Sequence, residues 1–258
     1  MLPRSIIRIV ATLVAVSLVS GCAGEDAKQV PERSGEPTAA RAAKATPAKA
    51  SFQDPEAVVE NAVEADSEAV QQHRQLISAA AQSIDGYWSS AVPEIYGEKY
   101  VPPRIFGAYD PSRDSVICSA EEAAHQGNAF FCIRQNYIAW DEPTLFLKLH
   151  REISPLAPIV VLAHEWGHAI QAQLGAYYDR DIESELGADC LAGAWAGNAA
   201  EEGLLTREDF DRALDTLIAA QDPEDVPWIA ADAHGTAYER GRAFGNGVEA
   251  GPKRCIRP

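Results

Sequence analysis

The stretch VLAHEWGHAI, residues 161 to 170, sets two histidines and a glutamate inside an otherwise apolar run. Burying a titratable group costs free energy unless it finds a partner, so this segment is more than a core helix. Residues four apart on a helix share a face, one turn along. His164 and His168 therefore present two imidazoles to one point, a spacing that suits a divalent metal, zinc above all. Glu165 stands about 100° round the helix from His164, where it reaches a water at the metal instead of competing as a ligand. This is the H-E-x-x-H arrangement, with two histidine ligands and the glutamate as general base.

Hydrolysis at one Zn2+ ion needs a third protein ligand and one open position. ESELGADC, in the next helical stretch, offers Glu185 and Asp189, again four apart. Glu185 is the expected third ligand. Asp189 is expected behind it, accepting a hydrogen bond from the free nitrogen of a zinc histidine, His164 first of all, which fixes the tautomer. Glu183 is the rival ligand; it lies about 200° round the helix from Glu185, so the two cannot both face the metal.

The rest of the chain frames that centre. Arg4 and Arg8 precede an apolar run from Ile9 to Val19 that ends in LVSGC. Residues 1–21 read as an export signal, too short for a comfortable membrane span. Residues 22–53 are Ala, Pro, Lys, Glu and Thr with no aromatic before Phe52, too poor in apolar surface to order themselves, and read as a disordered tether. Residues 54–258 read as one domain. Its first helix starts at an Asp54 cap with Pro55 in the first turn, and its apolar positions include Ala69, Leu76 and Ile77. Short runs between Pro102 and Asp141 (RIFGAY, SVICS, AFFCI, NYIAW), separated by Pro and Gly, read as a small sheet. Helical patterns follow: one ending at Gly175, one over residues 182–203, one capped by Thr206 with Asp209 three places on, and one where Thr236 and Glu239 have capping-box spacing. The fold class is thus α+β and mainly helical.

Five cysteines are present. Setting Cys22 aside leaves Cys118, Cys132, Cys190 and Cys255, an even set that suggests two disulfides in an exported protein. The first two are close in sequence and suit one hairpin or loop, which pairs Cys190 with Cys255. The formal net charge of −16 argues against a nucleic-acid partner, which needs clustered Lys and Arg. Trp166 and Trp195 read as core. His73 reads as solvated on a polar stretch, His125 as loop surface, and His150 has no evident partner.

AHEWGHAIQAQLG, ELGADCLAGAWA and HGTAYERGRAF together resemble the bacterial putative neutral zinc metallopeptidase family, from about Tyr100 to Cys255. VSGC resembles a bacterial lipobox, in which Cys22 would carry the lipid and become the first mature residue. The resemblance implies a zincin fold of the Glu-ligand (gluzincin) type, a peptidase activity, and cysteines matching Cys118, Cys132, Cys190 and Cys255. Two places depart from the family: its segment after the cysteine usually carries Pro and Asp whereas this chain reads FFCIRQNYIAWD, and Glu239 stands where Gln is expected. The expected function is zinc-dependent hydrolysis of peptide bonds in a peptide or protein substrate. The expected place is the cell envelope, outside the cytoplasm, with the protein held to a bacterial membrane by lipid on Cys22. His234, in AHGTAYER, is the first candidate to stabilise the oxyanion, or else a structural histidine beside the Thr236 cap; Tyr177 and Tyr178 are weaker candidates. Two other readings compete: a binding or scaffolding lipoprotein whose zinc is structural, and an amidase of cell-wall peptides.

Overall fold

The computed structural model describes residues 68–256, except 117, 119–125, 224–225, 228 and 231–232. The export signal, Cys22, the tether, the Asp54 cap and His125 lie outside the described residues.

Helix α1 spans Glu68–Ala91. Its buried positions, His73, Ile77, Ala80, Ile84, Trp88 and Ala91, fall three or four apart, the stripe a helix needs to dock one face on a core. A wide helical turn over Val92–Tyr96 closes it. Three strands follow: β1 Arg104–Tyr109, β2 Ala129–Cys132 and β3 Tyr137–Asp141. Central β3 runs parallel to β1 and antiparallel to β2. Successive strand residues point to opposite faces, and the sheet uses this to serve two cores. Phe131, Ile138 and Trp140 join the main core, whereas Phe130, Cys132, Tyr137 and Ala139 form a smaller one behind the sheet. Of the expected strand SVICS, the described residues Ser115, Val116 and Cys118 are not in a strand. Val116 and Cys118 instead pack into the smaller core, where Cys118 is bridged to Cys132.

A second wide turn, Glu142–Phe146, leads into the short helix α2, Leu147–Glu152. Helix α3, Ala157–Gln173, is buried on nearly every side, as a central helix must be. It stops at Gly175, whose φ of +64° is left-handed. The Ala176 amide donates to Gln171 O (3.0 Å) and the Gly175 amide to Ala172 O (3.2 Å), which satisfies the last carbonyls. Then come α4, Asp181–Glu201, α5, Arg207–Ala219, and α6, Ala237–Ala250. Thr206 with Asp209 and Thr236 with Glu239 both form capping boxes.

Glycines set how closely α4 meets α6. A Cβ at Gly193 would lie 2.0 Å from Phe244 O, and one at Gly247 would lie 1.9 Å from Cys190 O. Neither position has room for a side chain. The glycines that make α6 a poor helix by propensity are what let it lie backbone to backbone on α4. The Cys190–Cys255 disulfide ties the chain end to the same helix.

His73 departs from the sequence reading. It is 1 % exposed, and its Nδ1 lies 3.0 Å from Nδ1 of His150, so each histidine has the other as partner. Beside them the buried Glu142 carboxylate accepts from Arg74 Nε (3.1 Å) and Trp140 Nε1 (3.0 Å). This polar cluster joins α1 to β3 and α2. Trp166 and Trp195 are buried.

Candidate metal centre

Helix α3 carries His164 and His168 on one face, and α4 crosses it closely enough to bring up Glu185. Gly167, between the histidines, permits that crossing, since a Cβ there would sit 2.8 Å from Ala188 O. His164 Nε2 lies 3.1 Å from His168 Nε2 and 3.1 Å from Glu185 Oε2, and His168 Nε2 lies 3.2 Å from Glu185 Oε1. Donors bound to one zinc at about 2.0 Å in tetrahedral geometry stand about 3.3 Å apart. The two nitrogens and the carboxylate already hold nearly that spacing. Among the described residues, no other set of three His, Cys, Asp or Glu donors converges in this way. Glu183 is outside the set; it pairs with Arg180 Nη1 at 3.6 Å.

Each histidine is oriented from behind. His164 Nδ1 donates to Asp189 Oδ1 at 2.8 Å, and His168 Nδ1 donates to Gln171 Oε1 at 3.0 Å. Gln171 is itself fixed, its Nε2 donating to Ser184 O (2.7 Å) and its Oε1 accepting from Ser184 Oγ (3.1 Å). With both Nδ1–H groups engaged, both Nε2 lone pairs face the shared point, which is the tautomer a metal requires. Asp189 is fully buried and receives a forked grip from Arg240, with Nε at 2.8 Å from Oδ2 and Nη2 at 2.9 Å from Oδ1. Arg240 Nη1 also donates to Ala220 O (2.8 Å), just past α5. The sequence reading missed Gln171 and Arg240. Both lie in quoted segments, Gln171 three residues past His168, but only the helix crossing shows what they touch.

The electrostatics favour a cation. Burial works against a charged His164, yet the carboxylates of Asp189 and Glu185 outweigh it and push its pKa up to about 10. Burial pushes Glu185 up as well, but the two imidazoles hold it well below the usual carboxylate range. A divalent cation among these donors would replace protons. Burial raises the pKa of Glu165, against the opposing pull of both imidazoles and of a hydrogen bond from the Phe131 amide. That amide belongs to β2, the sheet edge nearest the centre.

His164, Glu165, His168 and Glu185 line a cleft of about 950 Å³. His234 lines the same cleft, so the structure brings it to the metal-ligand set's side of the molecule. Asp222 holds it in place: Oδ2 accepts from the His234 amide (2.6 Å) and the Gly235 amide (2.7 Å), and Oδ1 lies 3.3 Å from His234 Nδ1. With Nδ1 turned to Asp222, Nε2 is the nitrogen available to a ligand. Tyr178 lines the cleft and Tyr177, 81 % exposed, does not.

Two helices cross to set His, His and Glu around one point, with the buried Glu165 alongside, the donor set of a site that could hold a metal ion. The chain belongs to the family described as "Putative neutral zinc metallopeptidase", which matches residues 8–256. It is 31 % identical over 117 residues to "Uncharacterized protein YpfJ" of Escherichia coli strain K12, covering 37 % of this chain and 41 % of that protein. The same figures hold for the protein of that name in Escherichia coli O6:H1 strain CFT073. The match thus spans about two fifths of these relatives. No solved structure matches the chain.

Proposed function

We propose that this protein hydrolyses peptide bonds with one zinc ion held by His164, His168 and Glu185. The observation that carries the reading is a three-donor set that opens on a cleft also lined by Glu165. Structural zinc sites close with four protein ligands and need no base; here three donors converge among the described residues, and a carboxylate stands next to them. A zinc ion held by His164, His168 and Glu185 would supply Lewis acidity toward a water and toward the carbonyl under attack. Glu165 takes the proton as the water attacks and passes it to the leaving amine. Burial, which raises its affinity for a proton, suits both halves of that task. In its doubly protonated form His234, oriented by Asp222 at Nδ1, donates from Nε2 to the carbonyl oxygen as negative charge builds there. Asp189 and Gln171 keep the imidazoles aligned, and Arg240 keeps Asp189 in place.

The test is zinc-loaded protein incubated with a diverse peptide library, read by mass spectrometry, with Glu165→Gln as control. The variant is expected to keep its zinc and lose hydrolysis by 100-fold or more, the usual worth of a general base. Substantial turnover by Glu165→Gln would remove Glu165 from the mechanism. We further propose that the enzyme works outside the cytoplasm, tethered by lipid on Cys22. The motif LVSGC supports this, and the mass of the mature N-terminal peptide tests it: an unmodified Cys22 in membrane-derived protein would rule the tether out. No helix among the described residues is long and apolar enough to cross a membrane.

A further inference from the structure

Helix α2 stands between α1 and the cleft. It has six residues, too few for a helix to hold its shape alone, so its contacts decide where it sits. On one side Leu149, with Leu145 from the turn before it, lines the same cleft as His164 and Glu165. On the other side His150 reaches α1. Its Nδ1 lies 3.0 Å from Nδ1 of the buried His73, and the two rings meet edge to face with centroids 4.8 Å apart. Phe146 and Leu147 are buried and pin the start of α2. Its later part, which carries Leu149 and His150, has the histidine pair as its polar tie to α1.

One proton holds that tie. Of two Nδ1 atoms at this distance, one donates and the other accepts. A second proton sets two donors and two positive charges against each other. The charged groups around the pair are Arg74 from α1, Glu142 from the turn and Arg151 from α2 itself. Two of the three are cations, and the carboxylate already accepts from Arg74 and Trp140. His73 Nε2 has no hydrogen-bond partner among the described residues and lies 3.8 Å from Glu142 Oε2. A doubly charged pair is therefore poorly compensated where it stands. Burial first, then the charges of His73 and Arg151, lower the pKa of His150.

We propose that the His73–His150 pair is a pH-sensitive latch on the cleft: with one shared proton it holds α2 and Leu149 in the shape that grips substrate, and a second proton releases them. The latch is at full strength above pH 6.5, the ordinary value for histidine, and weakens as the pH falls below it. Acid thus loosens the hold on substrate from the far side of α2, while His164, His168 and Glu185, carried by α3 and α4, are not touched by the pair. What the cleft grips rests on the peptidase reading; the latch itself does not.

The test compares hydrogen exchange of the α2 amides in full-length, zinc-loaded protein at pH 7.5 and pH 5.5, after correction for the intrinsic effect of pH. Losing one buried hydrogen bond is worth about fivefold in a local opening equilibrium, so wild-type protection is expected to fall by about that factor or more in acid. His150→Gln, which keeps a neutral donor beside His73, is expected to hold its protection at both values. His150→Lys, which sets a permanent charge there, is expected to exchange fast at both. Amides of α4 around Glu185 are expected to change no more in the wild type than in either variant. With a peptide that the enzyme cuts, KM is expected to rise more in acid for the wild type than for His150→Gln, while kcat changes alike in the two. Unchanged wild-type exchange in α2, an equal acid response in His150→Gln, or the same KM ratio in both proteins would overturn the latch. The two proposals fail separately: a library with no peptide cut would strike the peptidase reading, and the exchange measurements would still decide the latch.

Discussion

At the scale of single residues the centre is a set of donors, with both imidazoles aimed by a second group. Glu185 is the one donor from α4, so its loss and the loss of Glu183 must differ sharply. Glu185→Ala is expected to weaken zinc binding by well over 100-fold, more than the 10- to 100-fold usual for groups that only support a ligand. Glu183→Ala, which removes a pairing with Arg180 at 3.6 Å, is expected to change it less than twofold. Competition with a chromophoric chelator measures both, and the reverse order would exchange their roles. His164, Glu165 and His168 were legible in the sequence because one helix carries all three at fixed spacing. Asp189 was legible by the same logic, four residues from Glu185. Arg240, Gln171 and Asp222 were not, because nothing local records which side chains meet when three helices and a loop are packed. His73 was misread for a different reason. It sits four residues before Ile77 on the buried stripe of α1, and that periodicity outweighed the polar neighbours that suggested solvent.

At the scale of elements, helix approach and helix docking carry the architecture. Gly247→Ala forces a methyl group against Cys190 O, where a Cβ would come within 1.9 Å. The helices must separate, at a cost of about 1–3 kcal/mol or more, and Arg240 on α6 must draw back from Asp189 on α4. The expected result is a melting temperature several degrees lower together with weaker zinc binding; an unchanged melting curve would show the contact to be slack. Glycine content made α6 a doubtful helix in the sequence, because propensity describes a lone helix and not one laid against another backbone. The α1–α2 contact gives a pH prediction. Two imidazole Nδ1 atoms 3.0 Å apart share one proton and cannot both carry one. Burial, then the charges of His73 and Arg151, hold His150 below its ordinary 6.5, so the folded state loses stability as the pH falls from above 6.5 towards that lower value. Burial pushes Glu142 up, but His73 with its Nε2 3.8 Å away, the Trp140 hydrogen bond and the Arg74 guanidinium hold it below 4.5. Its contribution is present above 4.5 and is lost at lower pH still. Melting temperature is therefore expected to drop between pH 7.5 and 5.5, and His150→Gln to flatten that upper part of the profile. A profile identical in the variant would count against the histidine pair.

At the scale of the whole molecule, two bridges divide the work between the two cores. Cys118–Cys132, 14 residues apart, serves the small core behind the sheet, and Cys190–Cys255 spans 65 residues. In the chain-entropy account, loops of these lengths contribute about 3 and about 4 kcal/mol. Replacing Cys190 and Cys255 together by Ala is expected to lower the melting temperature more than replacing Cys118 and Cys132 together, and to loosen zinc where the other pair does not. Equal effects on zinc would contradict that division. The asymmetry follows from position: Cys190 is the chain neighbour of Asp189, on which His164 leans. The oxidation state of Cys190 is thereby coupled to the donor set. Reducing that bridge is expected to leave the chain end slack and Asp189 poorly braced behind His164, so that the three donors drift apart.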